Sequence, residues 1–481
     1  MTLYDNFGLL IDGTWRAARG NRTRDVIDPA TEQLIGTVPH AATEDLDAVL
    51  CALKGSANGW RSTSGWERSA LLRRIVAAML SHRKEAARAM SMETGKPLAE
   101  AMGEWQAACD QFDWHADEAR RIYGHTLDGR DGNIRLNVRY DPVGPVAAFT
   151  AWNFPALLPA RKIAAALAAG CPIVVKPSEE APSSTFFIAQ SAIEAGLPAG
   201  VLNVVTGDSA EISSHLIASP VIRKVSLTGS VPVGKILLRQ CADSVKKVSM
   251  ELGGHAPVLV FPDADPVAVG AMCARTKFRN AGQVCISPSR FYVHEDIYEP
   301  FSQAMAETAS SIRVGRGLDE GVEFGPMANK RGRDRVIQLV EDAVEKGADV
   351  LAGGSTPPEH NQGFFFSPTV LGNVDDGAAI MHEEPFGPVA PIATFSEFND
   401  VVERANDVPF GLAGYVFSRS LETANKAAEA LEVGMVGVND MLLAAAEVPF
   451  GGIKESGMGR EGGKIGIFDY LEPKYIKLRL S

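Results

Sequence analysis

A chain of 481 residues is too long for one hydrophobic core, and with 46% apolar and 22% charged residues it should fold as two or three packed domains. A formal net charge of -12 argues against nucleic acid as a partner, because neutralising phosphates takes clustered Lys and Arg. Met1 to Trp15 carries Asp5 and Asp12 and lacks the basic-then-apolar order of a signal peptide, and the longest apolar run, Ile163 to Val175, falls short of the roughly 20 residues that span a bilayer; no membrane association and a cytoplasmic or organelle-lumen location are expected.

Along the chain, Thr43 to Arg121 is rich in Ala, Glu and Arg at helical spacing and is expected to pack helices on a following sheet. Leu127 to Asp141, with a turn signal at Gly129 to Gly132, and Tyr475 to Leu480 read as exposed β elements that leave unpaired edges on a monomer, which a neighbouring subunit would cover. From Gly144 onward, β-branched runs alternate with Ala-rich stretches. Strands are expected at Gly144 to Ala151, Pro172 to Lys176, Leu202 to Thr206, Lys224 to Leu227 and Lys247 to Met250, with helices near Ala156 to Ala169, Ser183 to Ala195, Ala210 to Ala218 and Val231 to Ala242. Four β-to-α steps in about 110 residues resemble a doubly wound nucleotide-binding sheet. A second α/β series follows, with strands near Ala256 to Phe261, Arg290 to His294, Val389 to Phe395 and Met435 to Asn439, and helices near Pro266 to Phe278, Pro300 to Ile312 and Arg331 to Glu345.

The six cysteines show no C-x-x-C pair and no His at ligand spacing, so neither a metal site nor a disulfide framework is expected. Cys285 stands behind a Gly-containing turn, in Phe278-Arg279-Asn280-Ala281-Gly282-Gln283-Val284-Cys285, right before the strand expected around Phe291. Alone it is more often an inert buried thiol, but two other segments change the balance. Glu251, in Met250-Glu251-Leu252-Gly253-Gly254, can take a proton from the thiol or from a water; a solvated loop Glu is the plainer reading. Asn153, in Ala151-Trp152-Asn153-Phe154-Pro155, can donate to a developing oxyanion or simply cap the next helix. Nucleophile, base and oxyanion donor, each expected at the carboxyl end of a strand, form a set that chance seldom assembles. Gly315-Arg316-Gly317 precedes no strand-to-helix step and reads as a turn.

With these segments in view, and with Leu227-Thr228-Gly229-Ser230, Glu383-Glu384-Pro385-Phe386-Gly387-Pro388 and Pro449-Phe450-Gly451-Gly452-Ile453-Lys454-Glu455-Ser456-Gly457, the chain resembles the aldehyde dehydrogenase superfamily over nearly its whole length. The resemblance implies an α/β fold with a Rossmann-like cofactor domain (1–121 and 142–254), a catalytic domain (255–468) and a small β oligomerisation element (122–141 and 469–481), assembled as a homodimer or homotetramer. It implies that Cys285 attacks an aldehyde, that Asn153 and the Cys285 N–H hold the oxyanion, and that Glu251 activates the water that hydrolyses the thioester. It places Phe154 and Phe450 on the substrate tunnel and Glu384 and Phe386 at the nicotinamide ribose. Thr150, Trp152, Lys176, Ser178, Glu179, Gly207, Gly229, Ser230 and Val233 fall among its cofactor contacts. NAD is expected over NADP, because Glu179 can accept from both adenosine ribose hydroxyls and repel a 2′-phosphate, although Glu179 and Glu180 would equally complement the next helix.

Transfer of the acyl group to coenzyme A is disfavoured because that branch of the superfamily usually lacks the Glu kept here as Glu251, and a catalytically retired member is disfavoured because Cys285, Glu251 and Asn153 are all present. Ser287 stands where some succinate semialdehyde dehydrogenases carry a second Cys, so no local disulfide switch is expected. For the substrate, Arg161 and Arg279 match the carboxylate-binding arginines of that family, each with an alternative reading as a surface or ion-paired Arg. Tyr140 to Thr150, Gly207 to Lys235 and Lys277 to Phe291 also resemble 2-oxoglutarate semialdehyde dehydrogenases. A short aldehyde ending in a carboxylate is expected. A Ser that assists carboxylate binding in the succinate semialdehyde family falls within Leu443 to Ala446, where this chain has no hydroxyl.

Overall fold

The computed structural model describes residues 3–480; Met1, Thr2 and Ser481, which begin and end the ranges assigned from the sequence, lie outside it. The first sheet has five parallel strands in the spatial order Leu202–Val204, Ile173–Lys176, Val146–Phe149, Lys224–Thr228 and Lys247–Glu251. Strand order reverses at Val146–Phe149, so the loop that leaves this strand, carrying Thr150 to Pro155, opens into the crevice where α/β sheets bind ligands. Both faces of the sheet are covered. Val146 and Ala148 point into a core with Trp105, Phe112 and Ile163, while Ala147 and Phe149 point into another with Leu46, Leu53 and Leu227, which is why these strands read as unbroken apolar runs. The helix Leu157–Ala169 is buried almost all round, and its six Ala residues let neighbouring helices and strands approach it closely.

The antiparallel edges of this sheet come from distant parts of the chain. Leu9–Ile11 and Thr14–Arg16 extend one side, and Gly457–Met458 pairs with Glu251 and Met250 on the other. The second sheet runs Thr369–Gly372, Val389–Phe395, Pro288–His294, Ala256–Val260, Ala413–Phe417 and Met435–Val438, all parallel, with Asp349–Ala352 antiparallel at one edge. Asp349–Ala352, Thr369–Gly372 and Ala413–Phe417 were not anticipated, being four- or five-residue segments without a clear period.

The third sheet corrects one expectation. Leu471–Arg479 pairs along its full length with Ile134–Pro142, which pairs in turn with His125–Asp128. The two segments therefore satisfy each other, and the open edges are the outer sides of Leu471–Arg479 and His125–Asp128. Among the described residues no helix is long and apolar enough to cross a membrane.

Candidate active site

Cys285 stands just ahead of the strand Pro288–His294, as its motif indicates, and so lies at the amino end of that strand rather than at a carboxyl end. The reason is local. After the helix Pro266–Lys277, Asn280 and Ala281 both adopt left-handed backbone (φ 47° and 52°), a costly conformation for consecutive non-glycine residues, and this turns the chain to present Cys285 to a cavity of about 260 Å³. Asn153 and Glu251 are where the sequence places them, after Val146–Phe149 and at the end of Lys247–Glu251. The double glycine behind Glu251 allows two close approaches: a Cβ at Gly254 would lie 2.7 Å from the Cys285 carbonyl oxygen, and one at Gly253 would lie 2.3 Å from Glu384 Oε2.

Asn153 is buried and its Nδ2 donates to the Gln283 carbonyl (3.0 Å), leaving the second N–H of the amide available. Cys285 is half-buried, and burial pushes its thiol up to about 12; the Glu384 and Glu251 carboxyls add to the push and Arg161 opposes it. Glu251 is buried with neither carboxyl oxygen hydrogen-bonded, and burial together with the neighbouring Glu461 raises its pKa well above the usual carboxylate range against Lys162, Arg161 and Arg460. Lys162 is itself buried, ion-paired with Glu461 and donating to Ser226 Oγ (3.1 Å).

The cavity is walled by Phe154, Leu157, Leu158, Met441, Leu442, Leu443, Ala444 and Phe450, with Arg161, Arg279, Glu100 and Glu104 as its charged lining. The two arginines are unlike. Arg161 is 3% exposed; among the described residues its Nε has no partner and it forms no ion pair, and its guanidinium lies 4.0 Å from the centroid of the Phe450 ring. Arg279 is exposed at the rim beside Glu100, whose pKa burial raises against the pull of Lys96 and Arg279. Leu443 and Ala444 face the cavity without a hydroxyl.

A second cavity, of about 380 Å³, is lined by Trp152, Gln283, Glu384, Pro385 and Phe386, with Trp152 packed edge-on against Phe386 at 5.6 Å. Phe386 has a φ of 40°, and Glu384 Oε1 accepts from the Gly254 N–H (3.1 Å) while burial raises its pKa to about 8. Further along the carboxyl ends of the same sheet, Lys176 Nζ meets Glu179 Oε1 (2.6 Å) and donates to Ser209 Oγ (2.6 Å). Burial works to raise the Glu179 pKa, yet Lys176 and Ser209 hold it below the ordinary range. Arg24 stands 4.0 Å from the same carboxylate, and Ser178 donates to Glu180. Thr150 and Gly207 fall beside this row, Thr150 bonded through its N–H to the Lys176 carbonyl (3.2 Å). Ser230 caps the helix Val231–Ala242 without a side-chain bond, Thr228 Oγ1 is buried and unpartnered, and Val233 and Ile236 expose apolar side chains on the first turns. Free helix N–H groups, an orphaned hydroxyl and an exposed apolar shelf suit a dinucleotide's pyrophosphate and adenine.

Lys96, Glu100, Glu104, Lys162, Asn280 and Glu461 were missed from the sequence. Asn280 lay inside a quoted motif, and Lys96 stands in Thr94-Gly95-Lys96-Pro97 before a helix; for the others nothing local distinguishes them from surface charges. Among the described residues no group of three His, Cys, Asp or Glu side chains is placed to hold a metal ion.

Two relatives match the chain over nearly its whole length. The chain is 43% identical to the succinate-semialdehyde dehydrogenase [NADP(+)] GabD of Escherichia coli, covering 98% of this chain and 97% of that one. It is 45% identical to a 3-sulfolactaldehyde dehydrogenase of Pseudomonas putida, covering 97% and 96%. The crystal structure of a succinate-semialdehyde dehydrogenase from Burkholderia pseudomallei superposes with a TM-score of 0.97 at 42% identity, covering 99% of this chain and 98% of that one. With the model of the aldehyde dehydrogenase family matching residues 15–476, this chain belongs to that family.

Proposed function

We propose that the protein oxidises a short aldehyde carrying a terminal carboxylate, of the succinate semialdehyde or 2-oxoglutarate semialdehyde type, to the dicarboxylic acid with NAD as the preferred cofactor. The observation that carries this reading is Arg161. An unpaired buried guanidinium costs several kcal/mol of desolvation, and a cation–π contact returns only about 2 kcal/mol. A carboxylate entering the cavity offsets the remainder and forms charge-assisted bonds that a neutral aldehyde cannot. The relative named for succinate semialdehyde supports a terminal carboxylate, and the one named for 3-sulfolactaldehyde, whose anion is a sulfonate, supports an anionic terminus in general.

In this reading Glu251 takes the Cys285 proton, helped by Arg161, and the sulfur attacks the aldehyde carbon. The free N–H of Asn153 and the Cys285 N–H bind the oxyanion of the thiohemiacetal. When bound, NAD(P) supplies the hydride acceptor, with Glu384 and Phe386 on the nicotinamide side and Lys176, Glu179, Ser230 and Val233 on the adenosine side. Glu251 gives up the first proton to solvent and then accepts one from water, whose oxygen bonds to the thioester carbon, and the Cys285 thiolate leaves. A raised pKa brings Glu251 nearer the working pH, where a general base is most effective. The preference for NAD rests on Glu179; should NADP give the higher kcat/KM, the Lys176 and Arg24 cations beside it are holding the 2′-phosphate instead, and that part of the reading is wrong. The reading includes a homodimer or homotetramer built through the three-stranded sheet.

The test compares kcat/KM for succinate, glutarate and 2-oxoglutarate semialdehydes with an uncharged aldehyde of equal length. Arg161→Ala should lower kcat/KM for the preferred semialdehyde roughly 10²-fold more than for the uncharged one, the value of a lost charged hydrogen bond, since any loss of Cys285 activation falls on both substrates alike. An uncharged aldehyde as the best substrate, with Arg161→Ala leaving discrimination unchanged, would refute the assignment.

A further inference from the structure

We propose that Lys96 and Glu104 are positioning residues that hold the oxyanion donor and the substrate-binding Arg161 in register, a proposal that rests on the roles just given to Asn153 and Arg161. Lys96 Nζ is almost completely buried, donates to the Asn153 carbonyl oxygen (2.8 Å) and pairs with Glu104 Oε2 (2.5 Å). Its own backbone is fixed by Ser91 Oγ, which donates to the Lys96 carbonyl (2.6 Å). The other oxygen of Glu104 accepts the N–H groups of Ala156 (2.8 Å) and Leu157 (3.2 Å), which open the helix Leu157–Ala169. One buried pair thus grips the segment on both sides of Phe154-Pro155: Lys96 holds the carbonyl before it and Glu104 holds the helix start after it. Lys96 Nζ also lies 4.6 Å from the Phe154 ring centroid, inside the same wall.

The geometry transmits this grip to both functional groups. Asn280 Nδ2 donates to the same Asn153 carbonyl (2.9 Å) and to the Gln283 carbonyl (3.2 Å), and the Asn153 amide donates to Gln283 as well. The Asn153 backbone is therefore pinned between Lys96 and the turn that carries Cys285. Arg161 sits one turn inside the helix whose first N–H groups Glu104 caps, so a shift of that helix start moves the guanidinium along the cavity. A carboxylate bound to helix-start N–H groups and counterbalanced by a buried ammonium is a rigid element, and rigidity is what an oxyanion site requires, since misplacement by about 1 Å costs on the order of 10²-fold in rate. A simple packing role would need neither the charge nor both oxygens of Glu104.

The experiment is a double-mutant cycle on the full-length protein with succinate semialdehyde. Asn153→Ala alone should lower kcat by roughly 10²- to 10³-fold, as loss of an oxyanion donor does. Lys96→Met should lower kcat at least tenfold with the rate of Cys285 alkylation by iodoacetamide unchanged. Adding Lys96→Met to Asn153→Ala should cost under threefold more, because the two act through one donor. Lys96→Arg, which keeps a donor toward the Asn153 carbonyl, should recover most of the activity. Where Lys96→Met fails to fold, Glu104→Gln takes its place: it retains an acceptor for the helix start but removes the counter-charge, and should raise KM for the semialdehyde together with lowering kcat. Lys96 and Glu104 variants with wild-type kcat, or a Lys96→Met loss that multiplies fully with that of Asn153→Ala, would overturn the proposal. Wild-type turnover in Asn153→Ala would instead overturn the oxyanion reading beneath it.

Discussion

At the scale of single residues the site is a set of buried groups that water would otherwise neutralise. Cys285 and Glu251 are both held toward their protonated forms, the thiol by burial and two carboxyls, the carboxyl by burial and Glu461. Each must lose a proton to act, so turnover should be slow on the acid side and climb as pH rises through the neutral range toward 9; a profile that is flat, or that peaks below pH 6, would contradict these roles. Cys285→Ala should abolish oxidation while leaving the fold and cofactor binding intact, because it removes a half-buried sulfur on a loop and the only nucleophile of the cavity. Glu251→Gln should slow the release of reduced cofactor, because Cys285 loses its base, and should stop after about one equivalent per active site as acyl-enzyme, which stopped-flow absorbance and intact-protein mass spectrometry read directly. A steady rate near wild type in either variant would remove that residue from the mechanism.

At the scale of elements, what could be read from the sequence was whatever is encoded locally. The first α/β series gave its strands and helices within a few residues, because apolar runs bounded by turns report burial on both sheet faces. Asn153 and Glu251 were legible because each lies in a short strand-to-turn signature. The position of Cys285 just ahead of a strand is legible in its motif, but its grouping with Asn153 and Glu251 at strand carboxyl ends is not borne out, since a motif shows neighbours in sequence but not which end of the sheet they meet. Lys96 and Glu104 were invisible for a related reason: their partners lie 57 and 52 residues away, and a charged residue in a helical stretch is ordinarily a solvated one. Long-range closure also explains the late motif around Ser456 and Gly457. Ser456 Oγ donates to the Gly253 carbonyl (2.7 Å), its own carbonyl accepts from Leu252 (3.0 Å), and Gly457 pairs with Glu251. Gly457 has a φ of 131° and no room for a side chain, a Cβ there lying 1.8 Å from the Met250 carbonyl oxygen. Gly457→Ala should therefore lift this strand from the end of Lys247–Glu251, cost on the order of 2 kcal/mol or more, and displace Glu251. Chemical denaturation and the ratio of burst to steady-state rate check both halves, and an unchanged midpoint with normal deacylation would show that the strand yields without consequence.

At the scale of the whole molecule, the three-stranded sheet stands apart from the two larger ones and leaves its strands more open to solvent than theirs. Leu471–Arg479 is joined on one side to Ile134–Pro142 and free on the other, and Leu127, Tyr475, Leu478 and Leu480 expose apolar side chains on or beside its strands. A nine-residue edge with unpaired N–H and C=O groups and apolar side chains is an aggregation hazard that proteins blunt or cover. Lys474, Lys477 and Arg479 blunt it in part, yet Lys474 is already engaged with Asp141 (2.6 Å). Covering by a second copy would resolve the remainder, since a symmetric contact buries the same edge twice. Sedimentation velocity at micromolar concentration should show a dimer or tetramer. Replacing Tyr475 and Leu478 together by Asp should shift the protein toward monomer, because two desolvated carboxylates at a closed interface cost more than most interfaces can return. The Cys285 site lies in cavities formed within one chain, so the dissociated variant should still give the burst of reduced cofactor. A wild-type monomer, or an assembly that the double substitution leaves intact, would show that this edge is shielded by its charges alone.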